Sequence, residues 1–371
     1  MKSRRWLGRS GLLMGGLTLG LVLAEFGFRF AKPDAAADLL YNAPENAPNG
    51  LYSTHTDLYA VPTAGFQGRQ DSLGYGVELR INAHGLRGPE LGPKSQSRWL
   101  ASGDSFTMAA QVSETDTFAQ RLGAELNLEV LNAGVDGYGT WQALGRYQEL
   151  DASLDLDGML LTFFVGNDVH DNVRWPQVQA QAKRMRAGAP LARQPINPIH
   201  GWLYKRSALY AGVRMMQRRR ALSSPTHHER HRWVSELRLF TRDGAGVLGS
   251  QLPHTDAALS ALAKMMAERG DSLMVAIAPP AFQVQKKRLN ATFSLVGMDP
   301  STATPDAVSD GVKQLLERRG IATCDLVDPL RRAEDAGGEM YLEYDGHWSL
   351  KGHAVVSDAL AKCMKESGFT R

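Results

Sequence analysis

The chain has 371 residues, enough for one large domain or two smaller ones, with ample sequence to bury a core. A composition of 43% hydrophobic and 22% charged residues excludes wholesale disorder, and a net charge of +3 is too small to argue for a nucleic-acid partner. The two cysteines, Cys324 and Cys363, exclude a disulfide scaffold and a cysteine-rich zinc site. They either pair, if the chain is exported, or stand as two separate buried thiols.

At the N-terminus, Lys2, Arg4, Arg5 and Arg9 precede an uncharged, mostly apolar run from Ser10 to Ala24, and Glu25 and Arg29 interrupt its continuation to Phe30. A basic start followed by an apolar segment is an export signal whose basic flank stays in the cytoplasm. The uncharged run falls short of the roughly 20 residues a bilayer span needs; counting on to Phe30 reaches that length. Glu25 and Arg29 lie four apart and can offset each other on a helix. Val22-Leu23-Ala24 lacks the small-x-small pattern of a cleavage site. The expectation for residues 1–30 is an uncleaved single-pass anchor in the inner membrane, with the rest of the chain in the periplasm. A cleaved signal and a buried soluble helix are the alternatives.

Residues 31–79, rich in Pro, Ala, Asn and Gly, read as a linker and irregular lead-in, with a strand-like pattern appearing only from Tyr75 to Ile81. A β/α alternation then begins. Strands are expected at Arg98–Ser102, Leu128–Asn132, Gly158–Val165, Ser272–Ile277 and Ile321–Leu326. Helices are expected at Thr117–Leu126, Thr140–Leu150, Asp256–Arg269, Ala307–Arg319 and Leu350–Lys365. Short apolar strands alternating with longer helices predict a parallel sheet covered on both faces, in a domain spanning residues 80–371. The stretch 171–242 breaks the alternation with fifteen Lys and Arg against three acids, plus His200, His227, His228 and His231. It reads as a solvated insertion, or as a basic cap facing anionic lipid head groups or an acidic polysaccharide. Its histidines are too irregularly spaced for a metal site.

Gly103-Asp104-Ser105-Phe106-Thr107 follows the first core strand, so Ser105 belongs at the carboxyl edge of the sheet, where open α/β folds place their sites. Alone such a triplet is only a turn. A serine hydroxyl is a poor nucleophile without a hydrogen-bonded base that a third group orients. Asp345-Gly346-His347-Trp348, ahead of the last helix, offers both partners. Two further segments offer donors for a developing oxyanion. Asn132-Ala133-Gly134-Val135-Asp136-Gly137 follows the second strand, and Gly166-Asn167-Asp168 follows the third. All four segments converge on one rim.

In these four blocks the chain resembles the SGNH (GDSL-type) hydrolase superfamily, over roughly residues 80–366. The resemblance implies a three-layer α/β/α fold with a flavodoxin-like parallel sheet. It assigns Ser105 as nucleophile, His347 and Asp345 as its catalytic partners, and Ser105, Gly137 and Asn167 as the oxyanion hole. No cofactor and no metal are called for. Only Gly346 separates Asp345 from His347, a shorter spacing than in many members and similar to alginate O-acetyltransferase-like proteins; Glu343 is the fallback acid. His353 is a competing histidine, but it falls inside the final helix and reads as structural. His84 and His170 read as satisfied or exposed, and Arg87 as an anion ligand or half of a buried ion pair. The function expected is an esterase acting on an O-acyl polysaccharide or lipid ester at the cell envelope, with O-acyl transfer to a polysaccharide as the alternative. A catalytically silent glycan-binding protein would have lost Ser105, His347 or Asn167, and a nucleotide-binding domain would need a phosphate loop absent around Gly103.

Overall fold

The computed structural model describes residues 2–33, 50–72, 75–189, 199, 202–203, 206–222, 227–343 and 345–370. Much of the expected linker, and His200, lie outside them. The helices in chain order begin with α1 (Lys2–Ala31), α2 (Ser105–Met108), α3 (Phe118–Leu126), α4 (Thr140–Leu154) and α5 (Asp168–Ala182). Then come α6 (Ala208–Leu222), α7 (His227–Arg238), α8 (Ala245–Arg269), α9 (Ala281–Val284) and α10 (Lys286–Val296). The last are α11 (Ala307–Arg318), α12 (Val327–Asp335) and α13 (Leu350–Glu366).

Five parallel strands form the central sheet: β5 (Arg98–Gly103), β6 (Glu129–Asn132), β7 (Gly158–Phe164), β8 (Ser272–Ala278) and β9 (Ala322–Asp325), in the order β6-β5-β7-β8-β9. This is the flavodoxin-like order. Strand periodicity sends alternate residues to opposite faces. Leu100, Leu161, Phe163, Val275 and Ile277 pack with Tyr147 of α4, Leu262 of α8 and Val312 of α11. Trp99, Ala101, Leu160, Met274 and Ala276 pack with Phe118 of α3, Leu330 of α12 and Leu360 of α13. The helix after β5 thus covers one face and the helix after β6 the other. The order in which strands are added reverses at β5, and the loops after β5, β6 and β7 border the crevice at this switch point.

The stretch expected to be an irregular lead-in is structured where it is described. It holds two antiparallel hairpins, β1 (Tyr52–His55) with β2 (Tyr59–Pro62) and β3 (Gln67–Ser72) with β4 (Tyr75–Arg80). The strands are four to six residues long, and turn-forming residues dominate the local composition while a few large side chains do the packing. Leu51, Tyr52, Leu58, Val77, Leu79 and Ile81 form a third core with Met108, Val135 and Tyr138, which flank the loops after β5 and β6. The lead-in is therefore a buttress of the crevice.

Cys324 of β9 and Cys363 of α13 are disulfide-bonded, with Cα atoms 5.7 Å apart. In α1, Arg29 Nε donates to Glu25 Oε1 at 2.7 Å, the i,i+4 pair expected. Among the described residues no helix is long and apolar enough to cross a membrane. Leu19, Leu21, Leu23, Phe26 and Phe30 of α1 are exposed.

Candidate active site

Ser105 opens α2 immediately after β5. The Asp104 side chain accepts from Phe106 N at 2.9 Å and caps this short helix, which ends at Ala109 in a left-handed conformation. A helix start leaves its first N–H groups without internal partners, so the Ser105 turn presents donors as well as a hydroxyl. His347 and Asp345 come from the loop between α12 and α13. His347 Nε2 lies 2.7 Å from Ser105 Oγ, and His347 Nδ1 is hydrogen-bonded to Asp345 Oδ1. Glu343, the fallback acid, is exposed, and it is Asp345 that reaches the imidazole. The ring of Phe106 lies against the imidazole at 4.8 Å between centroids and stacks on Phe164 at 4.2 Å, which limits the tilt of His347.

Tyr75 of β4 donates its hydroxyl to Asp345 Oδ2 at 3.0 Å, so both carboxylate oxygens are engaged. Burial alone would raise the Asp345 carboxyl; the bond and charge of His347, with the Tyr75 hydroxyl, hold it below the usual carboxylate value. Burial alone would likewise lower the imidazole, but the Asp345 bond and charge raise it above the usual histidine value. Behind the nucleophile, burial pushes Asp104 up to about 7. Asp168 is raised well above its usual range by burial and by the charge of Asp104.

The loop after β6 is drawn onto α2. Asn132 Nδ2 donates to Thr107 O at 2.7 Å and Val135 N to Gly103 O at 3.0 Å. A Cβ at Gly134 would sit 2.1 Å from Met108 N, so only glycine allows this approach. Gly137, at φ +78°, turns the chain toward the crevice. Asn167 sits at the start of α5 after β7 without a side-chain capping bond, and its Oδ1 is buried without a hydrogen-bond partner. Ser105, Gly137, Asn167, Asp345 and His347 all line one cleft of about 730 Å³. Tyr52 and Tyr59 from the first hairpin, Arg174 of α5, Trp233 and Leu237 of α7, and Arg288 of α10 line it too. Tyr59 holds φ +74°, rare for a bulky residue.

The other residues singled out in the sequence sit elsewhere. His353 is buried in α13; its Nδ1 accepts from Phe118 N at 3.3 Å, and burial lowers it to about 3, as suits a structural residue. His84 and His170 do not line the cleft. Among the described residues Arg87 makes no ion pair: its buried guanidinium donates to the carbonyls of Met108, Ala109 and Val112, at and just after the end of the short α2. The sequence reading missed Tyr75, Tyr52 and Tyr59. The strand-like alternation from Tyr75 was visible, but nothing in it pointed to an acid 270 residues away.

A hydroxyl hydrogen-bonded to an imidazole, itself backed by a carboxylate, has the layout for nucleophilic attack on a carbonyl; Asn167, whose Nδ2 is the atom that can donate, and the glycine-rich turn line the same cleft, as donors for a developing oxyanion would. No curated protein matches the chain. It is similar to an acetylxylan esterase from Geobacillus stearothermophilus, solved as a catalytic mutant, at 12% identity and a TM-score of 0.39, over 74% of this chain and 96% of that one. It is similar to a member of the lipolytic G-D-S-L family from Veillonella parvula at 10% identity and a TM-score of 0.36, over 72% and 97%. Likenesses this weak carry nothing further. Residues 239–371 match the family model of the SGNH hydrolase-like domain, acetyltransferase AlgX, and this match, over the segment that holds Asp345 and His347, bears out the resemblance to the SGNH hydrolases carried by the four sequence blocks.

Proposed function

We propose that the chain is a serine enzyme of acyl esters that works through a covalent acyl-enzyme at Ser105. The observation that carries the reading is the continuous chain of contacts from Ser105 Oγ through His347 to Asp345, opening onto one cleft with Gly137 and Asn167. Ser105 Oγ attacks the ester carbonyl carbon while His347 Nε2 takes its proton. The carbonyl oxygen becomes an oxyanion between the N–H groups of Ser105 and Gly137 and the Asn167 amide. The tetrahedral centre collapses, the C–O bond to the leaving alcohol breaks, and His347 returns the proton to that alcohol. A second hydroxyl then attacks the acyl carbon while His347 takes its proton; the new tetrahedral centre collapses, the acyl–Ser105 Oγ bond breaks, and His347 returns the proton to Ser105.

Water as that second hydroxyl makes the protein an esterase; a sugar hydroxyl makes it an O-acyltransferase. The match of residues 239–371 to an acetyltransferase family supports the transfer reading, and the cleft, with Tyr52, Tyr59 and Trp233 among its walls, is wide enough for a carbohydrate acceptor. We take an O-acylated polysaccharide of the cell envelope as the substrate class, with a lipid ester as the alternative. The apolar run from Ser10 to Ala24 and the exposed apolar side chains of α1 support a membrane anchor. The Cys324–Cys363 disulfide supports an oxidising compartment, outside the cytoplasm, for the catalytic domain.

Incubation with a short-chain nitrophenyl ester, with and without a hydroxyl-bearing oligosaccharide, tests the reading. Nitrophenol release by the wild type, its loss in Ser105→Ala, and acylated oligosaccharide in the mass spectrum are expected. Release undiminished in Ser105→Ala would overturn the proposal.

A further inference from the structure

The basic insertion is joined to α1 by a polar clasp. The Glu25 carboxylate accepts from Ser207 Oγ at 2.8 Å, from Ala208 N at 2.8 Å and from Leu209 N at 3.0 Å. These are donors at the first turn of α6, which a helix cannot satisfy internally and which favour a negative charge. Arg29 holds Glu25 from the other side, and its Nη2 donates to Arg206 O at 2.6 Å. A carboxylate that interrupts an apolar helix is thus fully engaged by the start of a second helix.

Around this clasp the surface is apolar on both elements. On α1, Leu23 is 62% exposed and Phe26 69%. On the insertion, Trp202 is 56% exposed and Met216 57%, and Val213, three residues before Met216, lies on the same helical face. The Arg206 guanidinium lies 5.4 Å from the centre of the Trp202 ring. Exposed Arg214 stands beside this face, and the sequence continues as Arg218-Arg219-Arg220. Exposed apolar side chains on two joined elements, with Arg206 over an indole and Arg214 exposed beside Val213, have the chemistry of the zone between lipid head groups and acyl chains.

We propose that Trp202 and α6 form a second membrane-contacting element, lying on an anionic lipid surface beside α1 with Trp202 and Met216 in the head-group boundary. Charge complementarity selects the occupant: a protein partner would need to match both the apolar face and the arginines, whereas an anionic bilayer offers both at once. The next helix, α7, supplies Trp233 and Leu237 to the cleft, so the lipid contact and a wall of the cleft follow each other along one stretch of chain.

The test uses the full chain floated with vesicles of phosphatidylglycerol and phosphatidylcholine whose acyl chains carry bromine, a quencher of indole fluorescence at contact. Trp202 is one of seven tryptophans, so the readout is the difference between wild type and Trp202→Phe. The wild type is expected to lose a fraction of its emission that Trp202→Phe does not. That fraction should shrink in pure phosphatidylcholine, and in a variant with Arg218, Arg219 and Arg220 all replaced by glutamine. Equal fractional quenching of wild type and Trp202→Phe would overturn the proposal, and quenching indifferent to lipid charge would overturn its anionic preference. Ester turnover of Trp202→Phe in detergent is expected to equal that of the wild type, which separates a failure here from a failure of the Ser105 chemistry.

Discussion

Ser105, His347, Asp345 and Tyr75 form a row in which each side chain fixes the next. Only neutral imidazole can take the serine proton, and Asp345 holds His347 above the usual histidine value. The base is therefore lost as pH falls through that raised pKa, and kcat/KM should climb with pH through a midpoint above about 6.5, the ordinary histidine value. Tyr75 touches Asp345 and acts on the reaction only through it. Hydrogen bonds to charged groups are worth about 1.5–3 kcal/mol, of which a part should reach the transition state. Tyr75→Phe should lower kcat about tenfold with little change in KM. Kinetics across pH on both proteins check this; an unchanged kcat would leave Tyr75 with packing alone. Ser105, Asn167 and His347 were legible because each follows a strand or precedes a helix in a recognisable block. Tyr75 was not, because a hydroxyl's partner across 270 residues leaves no local signature.

At the scale of elements, the five core strands were legible because a strand covered on both faces is a continuous apolar run, as in Gly158–Phe164. The hairpins over residues 52–80 were not, since their strands are short and glycine-interrupted and follow a Pro-, Asn- and Ala-rich run that reads as a linker. Helix α8 begins eleven residues before the expected Asp256, at Ala245, because Gly246, Gly249 and Pro253 lower local helix propensity while packing of Leu248 into the core restores it. The disulfide was left open by sequence because pairing depends on β9 and α13 lying side by side. It closes a loop of 39 residues, which by chain entropy stabilises the fold by about 4 kcal/mol. Replacing both Cys324 and Cys363 with alanine should lower the unfolding free energy by about that amount in urea titrations; a change under about 1 kcal/mol would deny the bridge a stabilising part.

At the scale of the molecule, the change of winding direction at β5, the buttressing hairpins and α7 of the insertion meet around one cleft, and the insertion is also clasped to α1 at Glu25. In the orientation proposed, with the basic flank retained in the cytoplasm, that cleft would lie in the envelope. An alkaline-phosphatase fusion after residue 40 should therefore be active, and an inactive fusion would reject this orientation. The proposed chemistry requires Ser105 to be a nucleophile that His347 activates. Labelling the full chain with a fluorophosphonate and mapping the adduct by peptide mass spectrometry tests this most directly. One adduct on the peptide that contains Ser105, absent in Ser105→Ala and strongly reduced in His347→Ala, is predicted; an adduct on another residue, or labelling that survives in Ser105→Ala, would contradict it.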